Sequence, residues 1–188
     1  MRVWQSRRWE ICLLSLALVV GVAGCGSGSE VAAGPLAGRA AAPATHSPAE
    51  ESAAEKAALA AYSGYLAASR TASVRSDPSH PALNRFLADP LLTRVRVAIR
   101  DAKEHGAMRT GKLVSDPTVV SVDLTADPPT VEIQDCLDAR GYRLVYAKDR
   151  KTVPGTRGGR YLATATAARY PDGRWLITTG DAHQDQPC

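Results

Sequence analysis

Asp135, His105 and Tyr62 have the side-chain types and positions that general acid–base chemistry would need. Asp135 sits in the alternating run Thr130 to Cys136, in step with Val131 and Ile133, so it shares their face. Asp123, by contrast, falls between Val122 and Leu124 and faces away from them. His105 closes a helical pattern, and Tyr62 stands with Tyr65 on the apolar stripe of another. A carboxylate or imidazole beside a phenol in one enclosed space is a minimal proton-transfer set. The same residues also fit a plain structural role: core tyrosines with hydrated hydroxyls, and a carboxylate tolerated near a strand end.

Other chemistries fit less well. Gly106 to Lys112 matches most of a phosphate-binding loop, but Leu113 replaces the magnesium-holding hydroxyl. The segment also runs from a helix into a strand, the reverse of the order that aims a helix N-terminus at phosphate. His46, His80, His105 and His183 are scattered, and no pair has ligand spacing, so neither a metal nor a cofactor is expected. Aromatics are 5% of the chain and basic charge is not clustered with them, which argues against nucleic acid. Arg140, Arg143, Lys148, Arg150, Lys151, Arg157 and Arg160 gather late in the chain. They read as a solvated sheet face, or as a contact with anionic lipid or wall polymer.

The cysteines say where this chemistry would take place. Arg2, Arg7 and Arg8 precede an apolar run from Ile11 to Val20, then small residues and Cys25: a signal peptide over residues 1–24. The run is shorter than the roughly 20 residues a permanent span requires. Val22-Ala23-Gly24-Cys25 resembles a bacterial lipobox, which makes Cys25 the lipidated residue and the membrane a partner through that anchor. Arg7-Arg8 leaves twin-arginine export open beside the general route. Three of the 23 Lys+Arg and one of the 19 Asp+Glu precede Cys25, so the mature net charge is only +2. Cys136 and Cys188 then form an even pair in an oxidising compartment, where a disulfide is expected rather than a nucleophilic Cys136.

The elements that must position these groups follow. Residues 25–46 carry the lipidated cysteine and a Gly/Ala/Ser/Pro tether that is expected to stay disordered. Residues 47–188 are the folded domain. A first helix starts at a capping box on either Ser47 or Ser52, and the polar stretch from Arg70 to Ser79 reads as a loop. A short helical piece, Pro81 to Leu87, precedes a helix capped by Asp89 with Pro90 at its first position and stopped by Gly106. Strands follow: Met108 to Val114; Thr118 to Leu124, with Val120, Val122 and Leu124 on one side; Thr130 to Cys136; Tyr142 to Ala147. Tyr161 to Tyr170 and Trp175 to Thr179 are joined by the Pro171-Asp172-Gly173 turn, with Asp181 and His183 in a tail. Helices before consecutive antiparallel strands give an α+β fold with helices on one face.

The lipobox, the alanine-rich tether, Val120-Ser121-Val122, Thr130 to Cys136, the turn Asp172 to Trp175 and the terminal cysteine together resemble actinobacterial secreted lipoproteins. In particular they resemble those with an NTF2-like (SnoaL-like) domain, over residues 50–188. The resemblance implies a cone, a curved antiparallel sheet wrapped around helices with a cavity between. It also implies three functions: a binding or docking module of the envelope, a SnoaL-like lyase or isomerase using Asp or His in the cone, or an assembly component of a secretion machine. The partner would be an envelope protein or a small apolar ligand. The protein would lie at the extracytoplasmic face of the membrane, or be secreted if the lipobox is not used.

Overall fold

The computed structural model describes residues 46–188; the signal peptide, Cys25 and the tether up to Thr45 lie outside the described residues. The first helix, α1, spans Pro48–Val74. Of the two capping boxes, the earlier one forms: Glu50 N donates to Ser47 Oγ at 3.3 Å, and Ser47 N donates to Glu50 Oε2 at 2.8 Å. The polar stretch expected as a loop from Arg70 is helical to Val74. Ala68, Ala72 and Ser73 are buried on the inner face, so packing carries the helix past residues whose side chains point to water.

The second helix, α2, is a single turn, Leu83–Phe86, and α3 spans Leu91–Glu104. Phe86 lies on α1 at Gly64, where any Cβ would run into its ring. The start of α3 falls one residue later than expected, with Pro90 in the cap position. Asp89 nevertheless caps with its side chain: Oδ1 accepts from Thr93 N at 3.1 Å and from Thr93 Oγ1 at 2.6 Å. Leu91 and Ile99 are buried along its inner face, and Gly106, at φ +63°, closes the helix in the left-handed conformation that a side chain would resist.

The strands are β1 (Ala107–Gly111), β2 (Pro117–Asp123), β3 (Thr130–Asp138), β4 (Tyr142–Tyr146), β5 (Arg160–Arg169) and β6 (Trp175–Pro187). They are not one meander. β2-β3-β5-β6 form a four-stranded antiparallel sheet, while β4 leaves that sheet to pair with β1. Lys112 N donates to Gly141 O, and Val114 exchanges both backbone hydrogen bonds with Asp138, so the chain is tied across at the exit of β3. β6 also runs eight residues beyond the expected strand end, pairing with β5 as far as Pro187 with register shifts at Thr166/Ala167 and Tyr161/Leu162.

Val120 corrects the expected alternation. A register shift between Val119 and Ser121 adds a residue to β2 against β3, turning Val120 outward at 62% exposure and bringing Val119 and Val122 onto the core. A bulge does this because one unpaired residue inverts the side-chain parity beyond it. On β3 the alternation holds, with Val131, Ile133, Asp135 and Leu137 all buried. Alanines line both sides of the core, Ala58 and Ala61 on α1 against Ala165 and Ala167 on β5, which leaves room for the helix to lie close to the sheet. Leu83, Leu87, Leu91, Ile133 and Ile177 fill the remainder, each burial contributing roughly 1.5–3 kcal/mol. The fold is α+β, helices packed against antiparallel sheets.

Candidate functional site

Alternation along β3 puts Asp135 in the interior, at 1% exposure. Burying a carboxylate there requires donors, and three converge. Tyr62 on α1 donates to Oδ2 at 3.0 Å, Ser115 Oγ to the same oxygen at 2.7 Å, and Asp116 N to Oδ1 at 2.7 Å. The Tyr62 hydroxyl is held far above its usual range, first by burial and then by the Asp135 charge and their hydrogen bond. Asp135 and Tyr62 thus meet, as a bridge tying α1, β3 and the turn into β2 together.

The open space lies elsewhere. A cavity of about 320 Å³ sits between α1, α3 and the ends of both sheets. Leu66, Val95, Ile99 and Leu137 form its apolar wall, with Tyr65, Tyr142, Tyr161, Arg70, Arg109 and Gln184 as polar lining residues. Asp135 and Tyr62 do not line it. Nor does His105, an exposed residue at the C-terminal cap of α3, whose Nδ1 lies 2.7 Å from Asp101 O. Asp123 is exposed as expected, accepting from Thr125 and Ala126 in the turn after β2. Tyr65 rather than Tyr62 lines the cavity, although the two share one side of α1 with ring centroids 5.9 Å apart.

The polar atoms of this wall are neutral donors or cations. Burial raises the Tyr65, Tyr142 and Tyr161 hydroxyls above their ordinary range, opposed by Arg94 at Tyr65, by Ser73 and Arg109 at Tyr142, and by Arg109 at Tyr161. They therefore stay protonated at neutral pH. Arg109 lies over the Tyr142 ring, 5.9 Å from its centroid, a cation–π distance. The Ser69 Oγ is shut away from solvent and has no hydrogen-bond partner in the protein. No acidic or imidazole side chain is among the lining residues. Among the described residues no group of three or more His, Cys, Asp or Glu is placed to hold a metal.

Sequence reasoning singled out Tyr65 but missed Arg109, Tyr142, Tyr161 and Gln184. Arg109 stands in the segment set aside as a broken phosphate loop, and the others come together only through strand pairings. Cys136 and Cys188 are joined, Cα atoms 5.8 Å apart, which pins the end of β6 across β5 to β3. His183 is in β6 rather than a tail, its Nε2 3.0 Å from Thr164 Oγ1, and Asp181 pairs with Arg94 at 2.9 Å. In the basic stretch Arg140 pairs with Asp138 at 2.6 Å, holding that carboxyl down at about 2, and Lys151 pairs with Asp149. Arg143 and Arg157 are exposed. Cys25 lies outside the described residues.

No family model matches the chain, and no curated protein matches it either. Among solved structures, the intermembrane-space region of chloroplast protein ARC6 is similar over 68% of this chain and 95% of that one. The identity is 20% and the TM-score 0.43, a likeness too slight to bear on fold or function.

Proposed function

We propose that the protein is a membrane-tethered, extracytoplasmic binding module with an NTF2-like cone, which holds a small, largely apolar molecule between α1, α3 and the sheet. The observation that carries this is the 320 Å³ cavity, walled by Leu66, Val95, Ile99 and Leu137 and furnished with a few convergent polar groups. That is the lower end of the roughly 300–1,000 Å³ typical of small-molecule sites, and its mixture of an apolar wall with few polar groups is theirs too. The lipobox-like Val22-Ala23-Gly24-Cys25 supports the anchor.

A SnoaL-like lyase or isomerase would place its acid or base on the cavity wall. Asp135 is engaged by three donors off that wall, and His105 is on the surface, so a container fits these residues better than a catalyst. Docking to an envelope protein or a secretion assembly would use an outer face, where Val74, Val97, Val114, Val120 and Tyr146 are the exposed large apolar side chains among the described residues. The test is titration with 1-octanol followed by methyl NMR. Saturable shifts at Leu66, Ile99 and Leu137 are expected, and their absence at saturating octanol rejects the reading. For the anchor, Cys25→Ala should release the protein to the medium or stall its processing; unchanged membrane retention counts against lipidation.

A further inference from the structure

The cavity does not end at its apolar wall. Arg109, Tyr142, Tyr161 and Gln184 also line a second recess of about 450 Å³, closed on its far side by the segment from Gly155 to Gly159. The two spaces, one apolar and one polar, therefore adjoin at these four residues. Arg157 enters the second recess, and Arg70 the first. Neither wall includes an acidic side chain. Among the described residues Arg70, Arg109 and Arg157 also lack an acidic partner, whereas Arg94, Arg140 and Arg174 each have one.

Guanidinium groups without acidic partners around a recess make a positive field there, screened in part because Arg70, Arg109 and Arg157 are exposed. Tyrosine hydroxyls that remain protonated add neutral donors to the same junction, and guanidinium matches carboxylate and phosphate oxygens two at a time. From this arrangement we infer that the ligand is an anionic amphiphile. Its apolar body lies against Leu66, Ile99 and Leu137, and its carboxylate or phosphate head sits between Arg109 and Arg157. The inference rests on the container reading and adds the sign and position of the head group.

Calorimetric titration of the purified protein with octanoate, octyl phosphate, 1-octanol, octyltrimethylammonium and inorganic phosphate tests it. Octanoate or octyl phosphate is expected to bind about tenfold or more tightly than 1-octanol, as one charge-assisted pair allows. Added salt should narrow that gap while leaving 1-octanol alone. Arg109→Gln with Arg157→Gln should bring the anions to the level of 1-octanol and leave 1-octanol unchanged, which a folding defect would not do. Equal binding of anion, alcohol and ammonium overturns the head-group assignment and leaves the container standing. Inorganic phosphate binding as tightly as octyl phosphate overturns the amphiphile in favour of a free-anion site. Failure of every alkyl probe overturns both readings.

Discussion

Tyr62→Phe separates a structural Asp135 from a catalytic one. The substitution keeps the ring, which is 3% exposed, and removes only the hydroxyl that donates to Asp135 Oδ2 at 3.0 Å. A hydrogen bond to a charged group is worth about 1.5–3 kcal/mol net. Ser115 and Asp116 still serve the carboxylate at 2.7 Å each, so the loss should lie near the middle of that range, about 2 kcal/mol. In urea, with a slope of roughly 2 kcal/mol per molar, this moves the unfolding midpoint down by about 1 M. The slope itself should not change. Asp135→Ala strands the buried Tyr62 hydroxyl, while Ser115 and Asp116 are exposed, and should cost about 1–3 kcal/mol. Binding of octanol by folded Tyr62→Phe should match the parent, since neither partner lines the cavity. The reasoning is refuted by an unchanged urea midpoint, or by a stable variant whose ligand binding is abolished.

Alkali should destabilise the fold through the same residue. The folded-state pKa of Tyr62 lies above the unfolded value near 10, so its contribution is complete below about pH 10 and is lost as pH rises beyond it. Comparing the parent with Tyr62→Phe in urea at successive pH values should show the parent falling faster, by up to about 1.4 kcal/mol per pH unit; parallel curves would contradict the burial argument. Cys136→Ser should cost about 4 kcal/mol, the chain-entropy value for a 52-residue separation, and intact mass should show the parent two hydrogens lighter than its reduced form. Gly64→Ala should lose about 1–3 kcal/mol through overlap with Phe86, and Phe86→Leu in the same chain should recover part of it; thermal melting of both reads this out.

Local rules reached much of the scaffold. The reciprocal hydrogen bonds of Ser47 and Glu50 (one of two starts the pattern offered), Gly106 and the turn at Asp172-Gly173 all act within four residues and are where a pattern put them, while Asp89 caps from one residue further out than expected. The burial of Val131, Ile133 and Asp135 followed from alternation alone. What local pattern does not carry is pairing. That β4 leaves the main sheet for β1 depends on the ties between Lys112 and Gly141 and between Val114 and Asp138, which join residues well apart in the chain. The bulge after Val119 is likewise invisible until the partner strand is known, because alternation reads the same on either parity. The cavity suffers most from this. Its wall draws five residues from α1 and four from α3 but only one or two from each strand, and Tyr65, Arg109, Tyr142 and Gln184 share no spacing rule.

That cavity is the centre of the account, and occupancy tests it directly. Native mass spectrometry of the protein purified from the cells that make it should show a small bound molecule, released on denaturation. Ala102→Trp, which projects a ring from a half-exposed position on α3 into the space, should remove the bound molecule while the protein stays folded. Bare polypeptide mass in the parent, or a bound molecule retained by Ala102→Trp, would contradict a container built between α1, α3 and the sheet.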